Sequence, residues 1–117
     1  MADFSDAQVT YLKSQRIGRL ATLRPDGTLQ NNPVGFSFDE ATGTFEIGGF
    51  NMGNSRKYKN VEANGQVAFV VDDLETVDPW KPRMVEVRGT GEAIPADDPR
   101  KAIIRIRPRR VISFGIE

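Results

Sequence analysis

Residues 17–39 read IGRLATLRPDGTLQNNPVGFSFD, and this stretch has the pattern of two β-strands joined by a tight turn. In the turn at residues 24–27, proline presets φ and glycine accommodates a left-handed backbone. Beyond the turn, Val34, Phe36 and Phe38 alternate with small residues, which is typical of a strand with one buried face. The stretch therefore predicts a β-hairpin and favours an antiparallel sheet.

The rest of the chain predicts further strands and only two short helices. Ser5 and Gln8 have the spacing of a capping box at the start of the first helix. Pro33 lacks an N–H group, so we expect a bulge or a sheet edge there. Hairpins follow one another without the spacing of βαβ units, so six or seven antiparallel strands should close into a small barrel, as one domain over residues 1–117. The predicted segments are helices at 5–15 and 56–63, strands at 17–23, 28–39, 44–50, 66–72, 83–94, 103–107 and 111–116, and a loop at 74–82.

Composition excludes several classes of function. The 117 residues include no cysteine and no histidine, which removes disulfides, thiolate metal sites and histidine-based catalysis. Sixteen basic residues balance sixteen acidic ones, so no overall charge attracts the chain to nucleic acid or to a membrane surface. No apolar run reaches the length of a membrane span, and the start of the chain lacks the pattern of a signal peptide. We expect a cytoplasmic protein with no metal site.

Residues 45–57 read FEIGGFNMGNSRK and carry the clearest functional signal. A strand ends in Gly48 and Gly49, a polar loop follows, and a helix begins at Ser55-Arg56-Lys57. The first N–H groups of a helix lack partners and bind phosphate well, and two cations in that turn add positive charge. Cations at this position oppose the helix dipole, so they indicate either a bound anion or chance. The glycines would let a planar ligand lie against the backbone.

The order and spacing of these segments resemble a known family. From about residue 4 to residue 116, the chain is similar to the split β-barrels of the pyridoxamine 5′-phosphate oxidase type, specifically to their F420-dependent class. A member of this class would have the fold of the FMN-binding proteins. The matching pieces are residues 17–22, 25–27, 32–34, 55–61, 66–69, 85–93 and 107–113.

The resemblance implies a cofactor site and an assembly. Ser55, Arg56 and Lys57 would bind the phosphate of F420 or FMN, the strand ending in Ile47, Gly48 and Gly49 would line the cofactor, and Asn31, Asn32, Pro33 and Val34 would contact its ring. Two barrels would form a homodimer with the sites at the interface. Trp80 would then be a lid from the neighbouring chain, or else a plug at one end of the barrel.

The resemblance also implies an activity. We expect an F420-dependent reductase that transfers a hydride to a small, electron-poor organic acceptor and needs no catalytic side chain. The chain lacks the C-terminal Arg and His pair of the oxidases that act on vitamin B6, and the segment after Pro95 is short. The alternatives are an FMN-dependent reductase or oxidase, a carrier that binds the cofactor without turnover, and, against the charge balance, a nucleic-acid-binding barrel. Arg105, Arg107, Arg109 and Arg110 would form a solvated face or a charged strand edge, or would contact the oligoglutamate tail of F420.

Overall fold

The computed structural model describes residues 3–116, which form six antiparallel strands and two short α-helices. Helix α1 begins at the predicted capping box, in which the Ser5 side chain and the Gln8 side chain each accept a backbone N–H of the other residue. No helix within residues 3–116 is long and apolar enough to cross a membrane. The elements are α1 (Asp6–Ser14), β1 (Ile17–Leu23), β2 (Leu29–Asp39), β3 (Thr44–Ile47), a first 3-10 helix (Met52–Asn54), α2 (Arg56–Ala63), β4 (Gln66–Thr76), β5 (Lys81–Ile94), a second 3-10 helix (Pro99–Lys101) and β6 (Ile103–Phe114).

The strands close into a barrel in the order β1-β2-β3-β6-β5-β4. The predicted hairpin is present: β1 pairs with β2 from Ile17–Gly35 to Leu23–Leu29 without a shift in register. Strand β3 pairs only with the far half of β2, starting at the Phe36–Ile47 pair. The half of β2 that contains Pro33 therefore has a neighbour on one side only, which confirms the predicted edge there, and the alternative of a bulge is wrong. The mainly β, split-barrel prediction is confirmed.

Three predicted strand boundaries are wrong. Strand β3 ends at Ile47 instead of at residue 50, because Gly48 and Gly49 supply no side chains to pack. The loop expected at residues 74–82 is mostly strand, since β4 and β5 pair as far as Thr76 and Lys81. The two strands expected at the end of the chain are one continuous strand, β6, because a register shift beside Gly89 accommodates Pro108.

The barrel interior is filled by aromatic and branched side chains. Phe45 is fully buried, and its ring lies 4.9 Å from the ring of Phe38 and 5.4 Å from that of Phe69. Leu20, Ile104 and Ile106 are buried with them. Each fully buried side chain of this size contributes about 1.5–3 kcal/mol relative to exposure. This core holds β1, β3 and β4 in place, and these strands support the loop and helix described next.

Candidate functional site

Ser55 is the residue that starts helix α2. Its backbone is extended, with φ −80° and ψ 155°, and its Oγ accepts the backbone N–H of Tyr58 at 3.2 Å. The same hydroxyl donates to the carbonyl oxygen of Met52 at 2.7 Å. Both functions of the hydroxyl are therefore used to fix the turn. The backbone N–H groups of Arg56 and Lys57 have no acceptor within residues 3–116, and they remain free to bind an anion.

The first turn of α2 carries positive charge without a protein counter-charge. It contains no acidic residue, and Arg56 is exposed while Lys57 is half-buried. Seven ion pairs occur within the described part of the chain, and neither Arg56 nor Lys57 takes part in them. The free N–H groups, the positive end of the helix dipole and the two side-chain charges therefore all lie at the start of α2. Together they favour the binding of a phosphate group there.

The glycine pair precedes this turn in the chain, and the first 3-10 helix lies between them. A Cβ atom built on Gly48 would meet nothing within 4 Å, so the backbone there borders open space. A Cβ on Gly49 would lie 3.8 Å from Cε of Met52, and the Met52 carbonyl is the acceptor for Ser55. The turn also rests on the second 3-10 helix, because a Cβ on Gly53 would lie 2.7 Å from the carbonyl oxygen of Pro99. The segment after Pro95 thus supports the start of α2 despite its shortness.

The structure places the remaining predicted ring contacts on two different faces. On β2, Asn31 and Pro33 are exposed, whereas Asn32 is half-buried and Val34 is buried on the opposite face. The four residues therefore cannot all contact one planar ligand through their side chains. Ile47 is fully buried in the core, so only its backbone can border a ligand.

Trp80 lies away from this turn within the same chain. It is exposed in the connection between β4 and β5, next to Lys81. The two strands run together from the Gln66–Thr90 pair to the Thr76–Lys81 pair, which spans roughly 30 Å at about 3.3 Å per residue. Helix α2 leads into the Gln66 end. The role of Trp80 as a lid stays a prediction about a neighbouring chain.

The arginines of β6 divide into two pairs. Arg105 and Arg107 form ion pairs with Glu46 at 2.8 Å and with Glu92 at 3.1 Å. These contacts show a charged outer face, and the expected strand edge is wrong at Arg105, which pairs with Glu46 of β3 and with Glu92 of β5. Arg109 and Arg110 are exposed, lie at the register shift, and make no ion pair within residues 3–116.

Two residues near the turn were missed as candidates from the sequence. Phe50 is fully exposed directly after the glycine pair, and an aromatic residue between glycines and a polar loop was the available signal. Asn60 is fully buried in α2, where its side chain donates to Thr22 and Gln30. An amide in the middle of a short helix was the only sign of it, and its burial depends on the barrel.

Comparisons with known proteins agree with this geometry. The family described as pyridoxamine 5′-phosphate oxidase matches residues 4–116. A 5a,11a-dehydrotetracycline/5a,11a-dehydrooxytetracycline reductase from Streptomyces rimosus is 45% identical over 120 residues, covering 97% of this chain and 84% of that protein. The structure of an F420 reductase is similar with a TM-score of 0.69 and 28% identity, over 88% of this chain and 94% of that one.

A more distant structure shares the fold alone. An FAD-binding protein from Mycobacterium smegmatis has a TM-score of 0.71 at 18% identity, over 97% of each chain. The 45% identical reductase shows that this chain is an oxidoreductase. With the family match extending over nearly all of its length, the chain belongs to the pyridoxamine 5′-phosphate oxidase family.

Proposed function

We propose that this oxidoreductase is a reductase that uses F420 and acts on a small, electron-poor organic acceptor. The observation that carries the proposal is the uncompensated positive charge at the start of α2, together with the open backbone at Gly48 in the connection that leads to this helix. The likeness to an F420 reductase supports the deazaflavin over FMN.

The residues present fit the chemistry of such a cofactor. The N–H groups and side chains of Arg56 and Lys57 supply several donors for a phosphate, while Ser55 fixes their position. The space beside Gly48 accommodates a flat ring without a side chain in the way. Asn32 presents a side-chain amide on the half-buried face of β2. The chain therefore offers one charged end and one flat, polar end for the cofactor.

Reduced F420, when bound, supplies a hydride from C5 of its deazaflavin ring. The chain contributes binding and orientation, and it contains no histidine or cysteine to act as an acid or base. The proton that completes the reduction would come from solvent. Arg56 and Lys57 hold the phosphate end and thereby limit how far the ring can move along Gly48 and β2.

The relative from Streptomyces rimosus narrows the class of acceptor. The substrates in its name are dehydro compounds, which carry an additional carbon–carbon double bond. We infer that the acceptor of this chain is a double bond made electron-poor by a neighbouring carbonyl, since such a bond accepts a hydride at carbon.

The reductase and a non-catalytic carrier differ in one measurement. The protein is mixed anaerobically with one equivalent of reduced F420 and then with an acceptor of this class, and the absorbance of oxidised F420 is followed. A reductase accelerates the return of oxidised F420 and forms the reduced acceptor in equal amount. Unchanged reoxidation with every conjugated carbonyl tested, despite tight binding, would favour the carrier.

The outer surface of the barrel supports the further proposal of a homodimer. Trp80, Phe114 and Leu29 are large apolar side chains that are exposed in the single chain. Burying them against a second copy would remove them from water, and it would bring a partner's Trp80 toward the site. Sedimentation equilibrium should give about twice the 13.0 kDa of the chain. A monomer at micromolar concentration would contradict the dimer.

A further inference from the structure

A row of three side-chain amides connects helix α2 to strand β2. Asn60 is fully buried, and its Nδ2 donates to Thr22 Oγ1 at 3.1 Å and to Gln30 Oε1 at 3.0 Å. Gln30 in turn donates from Nε2 to Oδ1 of Asn32 at 2.7 Å. Thr22 and Gln30 are partners in the β1–β2 register, so the helix contacts both strands of the hairpin at one level.

The polarity of this row is set at Asn60. Both bonds that its amide makes use the nitrogen as donor, and Gln30 presents its oxygen to the helix and its nitrogen to Asn32. Asn32 then accepts through Oδ1, and its own Nδ2 has no acceptor within residues 3–116. The end of the row is therefore an N–H donor on the half-buried face of β2.

Packing alone does not account for Asn60. Asparagine is a poor helix former, and burying an amide is unfavourable unless its hydrogen bonds are made. One of its atoms, Oδ1, is buried without a partner among the described residues. Tyr58 and Val61 already supply the apolar contacts of α2, so a leucine at position 60 would be the simpler solution for stability.

We propose that Asn60 is a positioning residue that, through Gln30, orients the Asn32 amide as a hydrogen-bond donor to a carbonyl of the cofactor's ring. The inference rests on the proposed cofactor site. Asn60 lies on the same short helix as Arg56 and Lys57, so the row also fixes the distance between the phosphate end and the ring end. The pyrimidine end of a flavin or deazaflavin ring carries carbonyl oxygens, which accept such a donor.

The test is a double-mutant cycle on cofactor binding, with F420 and FMN as the probes. Asn60→Ala and Asn32→Ala should each weaken binding by about tenfold, the worth of one hydrogen bond to a polar ligand. In the Asn32→Ala background, Asn60→Ala should weaken binding by less than about twofold, because its effect passes through Asn32. Equal effects in both backgrounds would overturn the proposal.

A spectroscopic signature separates positioning from general loosening. Asn60→Ala and Asn32→Ala should shift the absorption band of the bound oxidised cofactor in the same direction, because both remove a donor from its ring. Lys57→Ala, at the phosphate end, should weaken binding and leave the band in place. If the Lys57→Ala protein shows the same shift, the ring contact is refuted.

Two further measurements keep the proposal falsifiable if Asn60→Ala does not fold or if no cofactor binds. Gln30→Ala breaks the row at a half-buried residue and should give the same band shift. In the protein without cofactor, NMR should show slow hydrogen exchange of the Asn60 side-chain amide in the wild type, and faster exchange in Gln30→Ala. Slow exchange without cofactor binding would refute both the proposed function and the ring contact while confirming the row as a structural feature, whereas fast exchange in the wild type would refute the row itself.

Discussion

At the scale of single residues, Arg56 and Lys57 occupy positions where helices ordinarily carry acidic side chains. Their charge is unfavourable to an isolated helix by about 0.3–1 kcal/mol each, and no acidic group in the first turn offsets it. A bound phosphate would reverse the sign of this interaction. The same two residues are therefore a small cost to the fold and the main source of affinity in the proposed site.

Replacing Arg56 tests this balance. Arg56→Ala should weaken F420 binding about ten- to a hundredfold, and Lys57→Ala somewhat less, because a hydrogen bond to a charged group is worth about 1.5–3 kcal/mol. Fluorescence titration at fixed salt measures both. Lys59→Ala serves as the control, because it removes the same charge one position past the first turn, where the effect of the helix dipole is weaker. Equal losses for Arg56→Ala and Lys59→Ala would show a general charge effect.

A substitution at Gly48 should change ligand binding without changing the stability of the fold. A Cβ there meets nothing within 4 Å, so Gly48→Val should leave the thermal midpoint almost unchanged. The added side chain occupies the space assigned to the ring, and binding should weaken by at least about tenfold. Calorimetry measures the thermal midpoint and titration measures cofactor binding, both on the same preparation. Unchanged affinity in a folded Gly48→Val protein would place the ring elsewhere.

What could be predicted at this scale depended on how local the interaction is. The cap at Ser55 and the cations after it were predictable, because a helix start is decided by a few consecutive residues. The burial of Asn60 was not, because it depends on strands that are distant in sequence. The split of Asn31 and Asn32 between two faces, by contrast, was implicit in strand alternation, which is a local pattern.

At the scale of elements, the shift in register between β5 and β6 explains how one strand holds a proline. Arg88 pairs with Arg110 and Gly89 pairs with Pro108, so Arg109 is the additional residue. From the sequence, a strand is predicted to end before Pro108, because proline has no N–H group to donate to a ladder. The close approach depends on Gly89, which lies on another strand and gives no signal near Pro108.

Gly89 should therefore be intolerant of a side chain. A Cβ there would lie 2.2 Å from the carbonyl oxygen of Arg107, so Gly89→Ala should lower the free energy of unfolding by about 1–3 kcal/mol. Gly35→Ala, on β2, is the control, because the atom nearest to the new Cβ is 3.8 Å away. The stability of this variant should stay close to that of the wild type. Urea denaturation compares the two. Equal stabilities would contradict the packing described at the shift.

Helix α1 is held to the β4–β5 hairpin by a carboxylate. Asp73 accepts from Arg83 Nε at 2.9 Å and from the Tyr11 hydroxyl at 2.9 Å. The hydrogen bond from Arg83 is the largest cause that lowers the pKa of Asp73 from its ordinary value of 3.8, and the bond from Tyr11 adds to it against the opposing effect of burial. The folded state therefore favours the charged form.

The lowered pKa sets the direction of a pH dependence. The stabilisation by Asp73 is present above pH 3.8 and is lost as the pH falls through the lower pKa of the folded state. Asp73→Asn should be less stable than the wild type near neutral pH, and the difference should shrink in acid. Asp97→Asn, at a residue without a polar partner among residues 3–116, is the control. A difference that stays constant with pH would refute this account.

At the scale of the whole molecule, the barrel brings together residues that are distant in the chain. Alternation of apolar residues predicted the antiparallel strands, and the missing N–H group of Pro33 predicted the sheet edge there. Strand β1 pairs with β4 and closes the barrel, and this closure positions α2 over Thr22 and Gln30. The residue pattern within a single segment does not encode this position. The dimer and the lid role of Trp80 depend on a second chain and stay proposals.

The preference between the two cofactors tests the central proposal most directly. The purified protein without cofactor is titrated with F420 and, in parallel, with FMN at the same salt concentration, and fluorescence reports binding. The account predicts saturable binding of F420, with FMN at least about tenfold weaker. Tighter binding of FMN would contradict the deazaflavin reductase, and binding of neither would contradict the phosphate site at Arg56 and Lys57.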